Sequence, residues 1–403
     1  MKNLDKKIRA YALKNAIAHE GKAQQGAVIS GLFSEGLKKE EVKNIIKDIS
    51  KVVIEVNKFS LEEQEEEFEK LKKETHEREH REGLEELPNA SKGVVMRFRP
   101  SPSGPLHVGH IISNIVNSLY VKKYGGKFYV IVDDTNPESA LKDSYKKIKE
   151  DCDWIFGNVT KYLNSSDRMS LYYKYAEDLI NKKSAYVCTC SAEKFRKFSE
   201  FKEDCPCRNN ELKENVYRWK KMLDAKNGYK EGEAVLRFKT PEGMKHPNPA
   251  MRDFPLARIN LTAHPLQKKK YRVWPLMNLA VSVDDIELKI THIIRGKDHR
   301  DNAERQKMIF EVFGKKYPWT FFIGRIKFKD LALSKRKITA AIKSGEFSGD
   351  EDERLPTIAS LRKRKYNPEI FEKFAEQRGL TDVDKVIDSK EFFLILESFK
   401  DKK

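Results

Sequence analysis

The sequence lacks long apolar runs and contains little cysteine. None of its apolar stretches approaches the roughly 20 residues that a bilayer-spanning helix needs. The N-terminal segment from Met1 to Lys14 carries charges throughout and has no signal-like apolar region. Five cysteines in 403 residues do not describe a disulfide scaffold. These absences exclude a membrane-spanning protein and a disulfide-stapled secreted domain, and they favour a cytoplasmic protein.

Positive charge is what the sequence has in excess. Lys and Arg number 79 against 62 Asp and Glu, which leaves a net charge of +17. A surplus of this size on a folded protein indicates a polyanionic partner, and nucleic acid is the commonest. A lysine-rich proteome is the alternative, because runs such as Lys268–Lys270 need only be solvated. A chain of this length predicts two or three domains.

Two strand–helix–strand units are predicted on either side of a different central region. The first unit comprises a strand at Val94–Phe98, a helix through Ile111 to Tyr120 and an apolar strand at Phe128–Val132. The second comprises a strand at Ile290–Ile294, a helix at Asn302–Val312 and a strand at Trp319–Ile323. This pattern is typical of an α/β fold with a parallel, Rossmann-type, nucleotide-binding sheet.

Five segments follow from this pattern. They are an N-terminal helical region (1–90), the first half of the catalytic domain (91–186), an inserted domain (187–270), the second half of the catalytic domain (271–330) and a basic loop with C-terminal helices (331–403). The stretch from Leu61 to Glu86, crowded with Glu, is predicted to be an exposed helix or tether. After Gly324 the sequence predicts a basic loop followed only by helices.

The strongest chemical signal is the segment Ser101-Pro-Ser-Gly-Pro-Leu-His107-Val-Gly-His110, which follows a strand and opens a helix. His107 and His110 share one face of the first helical turn, where unpaired backbone N–H groups and the helix dipole favour a phosphate. Two imidazoles there can donate hydrogen bonds to an α-phosphate as charge builds during attack. Gly109 leaves room for adenine to approach the backbone. The structural alternative is that both histidines only cap the helix.

Four of the five cysteines form two close pairs, Cys188-Thr-Cys190 and Cys205-Pro-Cys207. Four thiolates arranged in this way suit a tetrahedral structural zinc site, and the loop between the pairs is short enough to close around one ion. The C-x-C spacing is less common than C-x-x-C, and reduced free cysteines are the alternative. The remaining Cys152 is predicted to pack in the core.

Several segments together resemble one known family. They are Tyr11–Ala16, Gly21–Ala23, Arg97–His110, Val132–Glu138, Tyr271–Pro275, Val283–Asp285, Thr291–His299 and Arg354–Thr357. The chain is similar over nearly its whole length to the class I aminoacyl-tRNA synthetases, in the form of the archaeal and eukaryotic glutamyl-tRNA synthetases. The resemblance implies ATP-dependent ligation of L-glutamate to tRNA through a glutamyl-adenylate, with release of AMP and pyrophosphate and with Mg²⁺ bound to the ATP.

The resemblance also implies residue-level roles. A second signature, Ala332-Leu-Ser-Lys-Arg336, supplies a lysine that neutralises the leaving pyrophosphate. The implied catalytic residues are His107, His110 and Lys335. The implied ATP-binding residues are Ser103, Gly104, Gly109, Ser334, Lys335 and Lys337. The implied amino-acid-binding residues are Arg97, Ser101, Asp133, Met277 and Arg295. The guanidinium groups of the two arginines suit a carboxylate better than an amide. Related enzymes carry a comparable zinc site in the inserted, acceptor-binding domain.

The sequence departs from the family pattern in its pocket. Met277 stands where the family has tyrosine and cannot donate that residue's hydrogen bond. Asn278 stands in place of an acidic residue, and Arg99 replaces a small residue or proline. Because the signature motifs are intact, an active but divergent enzyme is expected.

Several alternatives stay open at this stage. No strand-rich segment follows the last helices, so the anticodon-binding β-barrels of the family are expected to be lost, cut away or supplied by a separate chain. The rival functions are a glutamine–tRNA ligase, an H-x-G-H adenylyltransferase and an inactive, synthetase-like tRNA-binding protein. Whether tRNA for glutamine is charged as well as tRNA for glutamate is also open.

Overall fold

The structure is a computed structural model that describes residues 3–37, 39–75, 83–331 and 333–400. The helices of these residues are α1 Leu4–Ala18, α2 Gln25–Ser34, α3 Val42–Val56, α4 Leu61–Leu71, α5 Val108–Tyr124, α6 Ser144–Phe156, α7 Met169–Asn181, α8 Ala192–Phe201, α9 Leu212–Leu223, α10 Met277–Glu287, α11 Arg300–Val312, α12 Lys335–Lys343, α13 Ile358–Lys363, α14 Pro368–Arg378 and α15 Ser389–Glu397. The strands are β1 Val94–Phe98, β2 Gly126–Val132, β3 Lys161–Asn164, β4 Ala185–Cys188, β5 Val235–Phe238, β6 Pro255–Ile259, β7 Val273–Pro275, β8 His292–Gly296, β9 Trp319–Ile323, β10 Ile326–Phe328 and β11 Lys385–Ile387. A bilayer-crossing helix, long and apolar enough to span a membrane, is absent from these described residues.

The first of two compact units comprises residues 1–80 and is helical. Helices α1 to α4 enclose their own apolar core, which includes Leu13, Leu32 and Val56. Ser60 caps α4 by accepting the backbone N–H of Glu63, whose side chain accepts the Ser60 N–H in return. The helices predicted in this region are therefore confirmed. The part of the predicted tether at 76–82 lies outside the described residues.

The second unit, residues 81–403, is built on parallel strands. Strand β1 pairs with β2, β2 pairs with β3, and β8 pairs with β9, all in parallel. The N–H of Thr291 donates to the carbonyl of Val95 at 2.9 Å, which places β8 beside β1. The buried apolar runs of β1 and β2 pack against α5 and α6 in one core, as expected for strands covered by helices. The predicted α/β, Rossmann-type fold is confirmed.

The segment between the two parallel halves forms a separate antiparallel sheet. Its strand order is β4-β5-β6-β7, with antiparallel pairing throughout. Trp219 of α9 and Leu236 of β5 are buried in its core together with Trp274 of β7. Sequence placed the insertion at 187–270, and the sheet runs from Ala185 to Pro275.

The prediction that only a loop and helices follow Gly324 is wrong. Strands β10 and β11 form a small parallel sheet in which Ile326 is opposite Lys385. Each strand has three residues and its partner lies 59 positions away, so neither shows a readable alternation of apolar and polar residues. The second signature also differs from the predicted loop, because α12 begins at Lys335. Ala332, in the same signature, lies outside the described residues.

Candidate active site

One cavity of about 390 Å³ is lined by seven of the predicted site residues. All five predicted amino-acid-binding residues line it, together with His110 and Lys335. Arg97 lies near the carboxyl end of β1, Asp133 directly follows β2, and Arg295 lies near the end of β8. In an open parallel sheet, the carboxyl ends of the strands are where ligands bind.

The two histidines lie together at the start of α5. Their ring centroids are 3.8 Å apart, and the backbone N–H of His107 donates to Nδ1 of His110 at 3.1 Å. His110 therefore caps the helix, as the structural alternative proposed. Because Nδ1 accepts this bond, a neutral His110 ring carries its proton on Nε2, which is left as a donor. Burial lowers the pKa of His110 well below its usual value and the pKa of His107 to about 3, so both rings are neutral at pH 7.

The segment Pro356–Ile358 forms backbone hydrogen bonds with the histidine motif. The Val108 N–H donates to the carbonyl of Pro356 at 2.9 Å, and the Ile358 N–H donates to the carbonyl of Leu106 at 3.0 Å. His107 and the fully buried Thr357 form an isolated antiparallel bridge between these bonds. The Arg354–Thr357 motif thus fixes the loop that presents the two imidazoles.

Lys335 reaches the same cavity from the second signature. It is the first residue of α12, and Ser334 caps that helix by accepting the Lys337 N–H at 3.5 Å. The Lys335 ammonium donates to the carbonyl of Ser101 at 2.7 Å. Burial lowers the pKa of Lys335 to about 8.

A glycine lets α12 approach the first signature this closely. A Cβ added at Gly104 would lie 2.7 Å from Oγ1 of Thr339 and 3.3 Å from Cβ of Lys335. Any larger residue would therefore push α12 away. The backbone of Gly104, with φ +151°, is in a region that side chains rarely adopt.

Several predicted ATP-binding residues lie beside the cavity. Within the described part of the chain, its lining does not include His107, Ser103, Gly104, Gly109, Ser334 or Lys337. A Cβ added at Gly109 would lie 3.0 Å from Cδ1 of Leu333 and 3.1 Å from the His107 ring, so Gly109 allows these two side chains to approach the helix. The assignments of these residues to ATP stay predictions.

The cavity arginines differ in how their charge is balanced. Arg97 donates from Nε and Nη2 to the two carboxylate oxygens of the buried Asp285, both at 2.8 Å. Arg295 donates to the neutral Gln306 at 2.9 Å. No carboxylate of the described residues lies within 4.0 Å of the Arg295 guanidinium. Burial and the neighbouring Arg97 lower the pKa of Arg295 to about 10. Arg295 is therefore a buried cation that lacks a close counter-ion.

Two buried carboxylates of the Val283–Asp285 segment bind cavity arginines, a role that was not predicted from the sequence. Asp285 holds Arg97, and Asp284 accepts hydrogen bonds from Arg99, from Arg168 at 2.6 Å and from the Tyr172 hydroxyl at 2.8 Å. Both lie in α10, whose residues from 278 to 285 are buried. Two adjacent acids that follow the largely apolar start of this helix were the available signal, because buried carboxylates require cationic partners.

The four paired cysteines meet in the inserted domain. Their sulfur atoms lie within 4.8 Å of one another, and three of the separations are 3.5, 3.4 and 3.9 Å. Tetrahedral zinc with Zn–S bonds of about 2.3 Å requires sulfur atoms about 3.8 Å apart. Arg218 donates to Sγ of Cys207 at 3.4 Å, a contact that suits a thiolate. The residues therefore fit a zinc ion. Cys152 is fully buried in the core, as predicted.

Comparison with known proteins extends over most of the chain. The family of class I tRNA synthetases for E and Q, catalytic domain, matches residues 93–399. A glutamate–tRNA ligase of Methanocaldococcus jannaschii is 40% identical over 400 residues, which cover 99% of this chain and 71% of that protein. A glutamate–tRNA ligase of Pyrococcus abyssi is 43% identical over 387 residues, which cover 94% of this chain and 67% of that protein.

A solved structure supports the same fold at lower identity. The glutamate tRNA ligase from Elizabethkingia meningosepticum, in complex with its amino acid, aligns with a TM-score of 0.54 and 20% identity. The alignment covers 76% of this chain and 69% of that chain. The resemblance predicted from the sequence is confirmed by the family match and by the relatives: this chain belongs to the class I tRNA synthetases of the glutamate and glutamine type.

Proposed function

We propose that the chain uses ATP to join L-glutamate to tRNA, through a glutamyl-adenylate. The observation that carries the choice of amino acid is Arg295, a buried guanidinium that lines the cavity with no carboxylate of the described residues within 4.0 Å. A charge of this kind is costly unless a bound anion compensates it. The side-chain carboxylate of glutamate supplies the compensating negative charge, and the neutral amide of glutamine does not. The relatives, which are named glutamate–tRNA ligases, support the same choice.

In the first step, the α-carboxylate of glutamate attacks the α-phosphorus of ATP in line, and the bond to pyrophosphate breaks. Nε2–H of His110 donates to the α-phosphate oxygens, on which charge accumulates. Lys335 exchanges its bond to the Ser101 carbonyl for the departing pyrophosphate, which Mg²⁺ accompanies. The protein aligns the reactants and forms no covalent bond to them.

In the second step, a terminal ribose hydroxyl of tRNA attacks the carbonyl carbon of the adenylate, and AMP leaves. The inserted domain would present the acceptor end of the tRNA. Zinc held by Cys188, Cys190, Cys205 and Cys207 would fix two loops of that domain and would take no part in the chemistry.

Aminoacylation with labelled glutamate and labelled glutamine, on transcripts of both tRNAs, tests the proposal. Glutamate should be attached to tRNA for glutamate with release of AMP, and the second transcript measures whether tRNA for glutamine is also charged. Charging with glutamine alone would replace the proposal by a glutamine–tRNA ligase. Transfer of AMP to an acceptor with release of pyrophosphate, but without charged tRNA, would favour an adenylyltransferase. No turnover of ATP under any condition would favour a tRNA-binding protein without activity.

A further inference from the structure

Arg99 is a buried cavity residue for which the family resemblance provides no role. It follows β1 and lines the cavity beside Asp133. Its side chain is only 6% exposed. The sequence marked it as a departure, because the family has a small residue or proline there. A long charged side chain in such a place must be paired, or must pair with a ligand.

The hydrogen bonds of Arg99 leave part of its guanidinium unused. Nη1 donates to the buried Asp284, and Nη2 donates to Oγ of Ser165 at 3.0 Å. Nε is buried and has no partner among the described residues. Asp284 is shared with Arg168, so one carboxylate faces two guanidinium groups. Unlike Arg97, which occupies both oxygens of its own carboxylate, Arg99 shares Asp284 with Arg168 and has Asp133 as a second, more distant carboxylate. Its buried Nε–H is left as an unused donor.

The position of Arg99 identifies the ligand group that it can reach. Nη2 lies 3.9 Å from Oδ1 of Asp133, a cavity carboxylate that the family resemblance places near the substrate ammonium. In an α-amino acid the ammonium nitrogen and the α-carboxylate carbon are about 2.5 Å apart, because both are bonded to Cα. A substrate with its ammonium at Asp133 therefore brings its α-carboxylate towards Arg99.

Arg295 lies in different electrostatic surroundings. It lies in β8 and donates to Gln306, whereas Arg99 follows β1 and donates to Asp284 and to Ser165. The two cations thus reach the cavity from different strands and have no hydrogen-bond partner in common. Such a separation suits a dicarboxylic amino acid, which carries one carboxylate at each end.

We propose that Arg99 binds the α-carboxylate of the amino-acid substrate, while Arg295 binds the side-chain carboxylate. The inference rests on the proposed glutamate specificity and adds a substrate contact to it. It also explains how a pocket with Met277 in place of tyrosine orients its substrate: the lost neutral donor is replaced by a charged one that follows β1.

The test compares two ligands on one substitution, Arg99→Ala. The first ligand is L-glutamate, measured by ATP–pyrophosphate exchange with tRNA present. The second is its alcohol analogue, which has a hydroxymethyl group instead of the α-carboxylate and is measured as a competitive inhibitor. Arg99→Ala should raise KM for glutamate by about 10- to 100-fold, the effect of losing one charge-assisted hydrogen bond. It should change the inhibition constant of the analogue by less than about threefold.

Two further variants separate contact from structure. Arg99→Lys keeps the charge and should raise KM less than Arg99→Ala does. Tyr172→Phe removes a hydrogen bond to the same Asp284 oxygen without entering the cavity, and KM should stay within about threefold of the unchanged chain. The KM effect of Arg99→Ala should exceed its effect on kcat, because the carboxylate loses its charge as the adenylate forms.

Three outcomes would overturn the proposal. Equal weakening of glutamate and its alcohol analogue would mean that Arg99 only supports the pocket. An unchanged KM in Arg99→Ala would mean that it has no contact with substrate, while the proposed function would stand. Absence of glutamate-dependent exchange in the unchanged chain would remove the proposed function itself, and with it this contact.

Discussion

The amino-acid cavity and the cysteine cluster are assembled in opposite ways. In the cavity, Arg97 is held by Asp285, which lies 188 positions further along the chain. In the cluster, Cys188 and Cys205 are 17 positions apart within one inserted domain. The geometry of the cavity therefore depends on the packing of the whole second unit. The geometry of the cluster depends on two nearby loops and on the zinc ion that their cysteines are suited to bind. Substitutions should separate the two, because cavity changes act on catalysis and cluster changes act on the inserted domain.

The largest effect on amino-acid activation is expected from Lys335→Ala. The change removes the cation proposed to neutralise pyrophosphate, and exchange should fall by about 10²- to 10³-fold. Thermal unfolding should be nearly unchanged, because the lysine makes a single bond to a carbonyl and its charge is disfavoured by burial. ATP–pyrophosphate exchange and a melting curve on the same sample provide the measurement. If the exchange rate of Lys335→Ala stays within threefold of that of the unchanged chain, Lys335 does not contribute to amino-acid activation.

A change at Arg295 should be next in size. Arg295→Gln removes the buried cation, so KM for glutamate should rise by about 100-fold and the preference over glutamine should narrow. Lys307→Gln, an exposed change on the neighbouring helix α11, is the matched control and should leave both values unchanged. A preserved preference for glutamate in Arg295→Gln would place the recognition of the side-chain carboxylate elsewhere.

The pH dependence of activation sharpens the comparison further. Lys335 has a pKa of about 8 because it is buried, and it must be charged to hold pyrophosphate. The value of kcat/KM for ATP should therefore fall as pH rises through 8, by up to about tenfold per pH unit. Neither histidine gains a proton between pH 5 and 8, since the pKa of His107 is about 3 and that of His110 is also low. Lys335→Arg should remove the alkaline fall, and a flat profile up to pH 10 in the unchanged chain would contradict the assignment.

The smallest effect on activation is expected in the cysteine cluster. Cys205→Ser removes one of four thiols, so bound zinc should be lost and the inserted domain should become sensitive to protease. Activation of glutamate should change by less than about threefold, because no cluster residue lines the cavity within the described chain. Zinc content, limited proteolysis and exchange provide the measurements. The control is Cys152→Ala, a change at a core cysteine outside the cluster, and this variant should bind as much zinc as the unchanged chain. If Cys205→Ser also binds as much zinc as the unchanged chain, the proposed zinc site is refuted.

The accuracy of the sequence predictions follows the length and regularity of each element. The bounds of β1 and β9 agree with the prediction, because each is a bounded apolar run between turn-forming residues. The strands β10 and β11 were missed, since three residues carry no period and their pairing is decided by packing. The helix that begins at Lys335 was predicted to be a loop, because its basic residues resemble a solvated segment. The helix packs against Gly104, which has no side chain to keep it away, and this distant contact is not evident from the sequence.

The sequence by itself determined which reactive and charged groups this protein has: paired histidines at a helix start, a distant lysine, two pairs of cysteines and arginines suited to carboxylates. These signals are local, and their spacing along the chain is enough to read them. Only the tertiary structure decided which cations are free to bind a ligand. Arg97 and Arg295 look alike in the sequence, but Asp285 binds the first, whereas the part of the chain that the structure describes has no carboxylate within 4.0 Å of the second. That difference arises because charge balance in a buried site depends on distances between remote segments, which the order of residues does not contain.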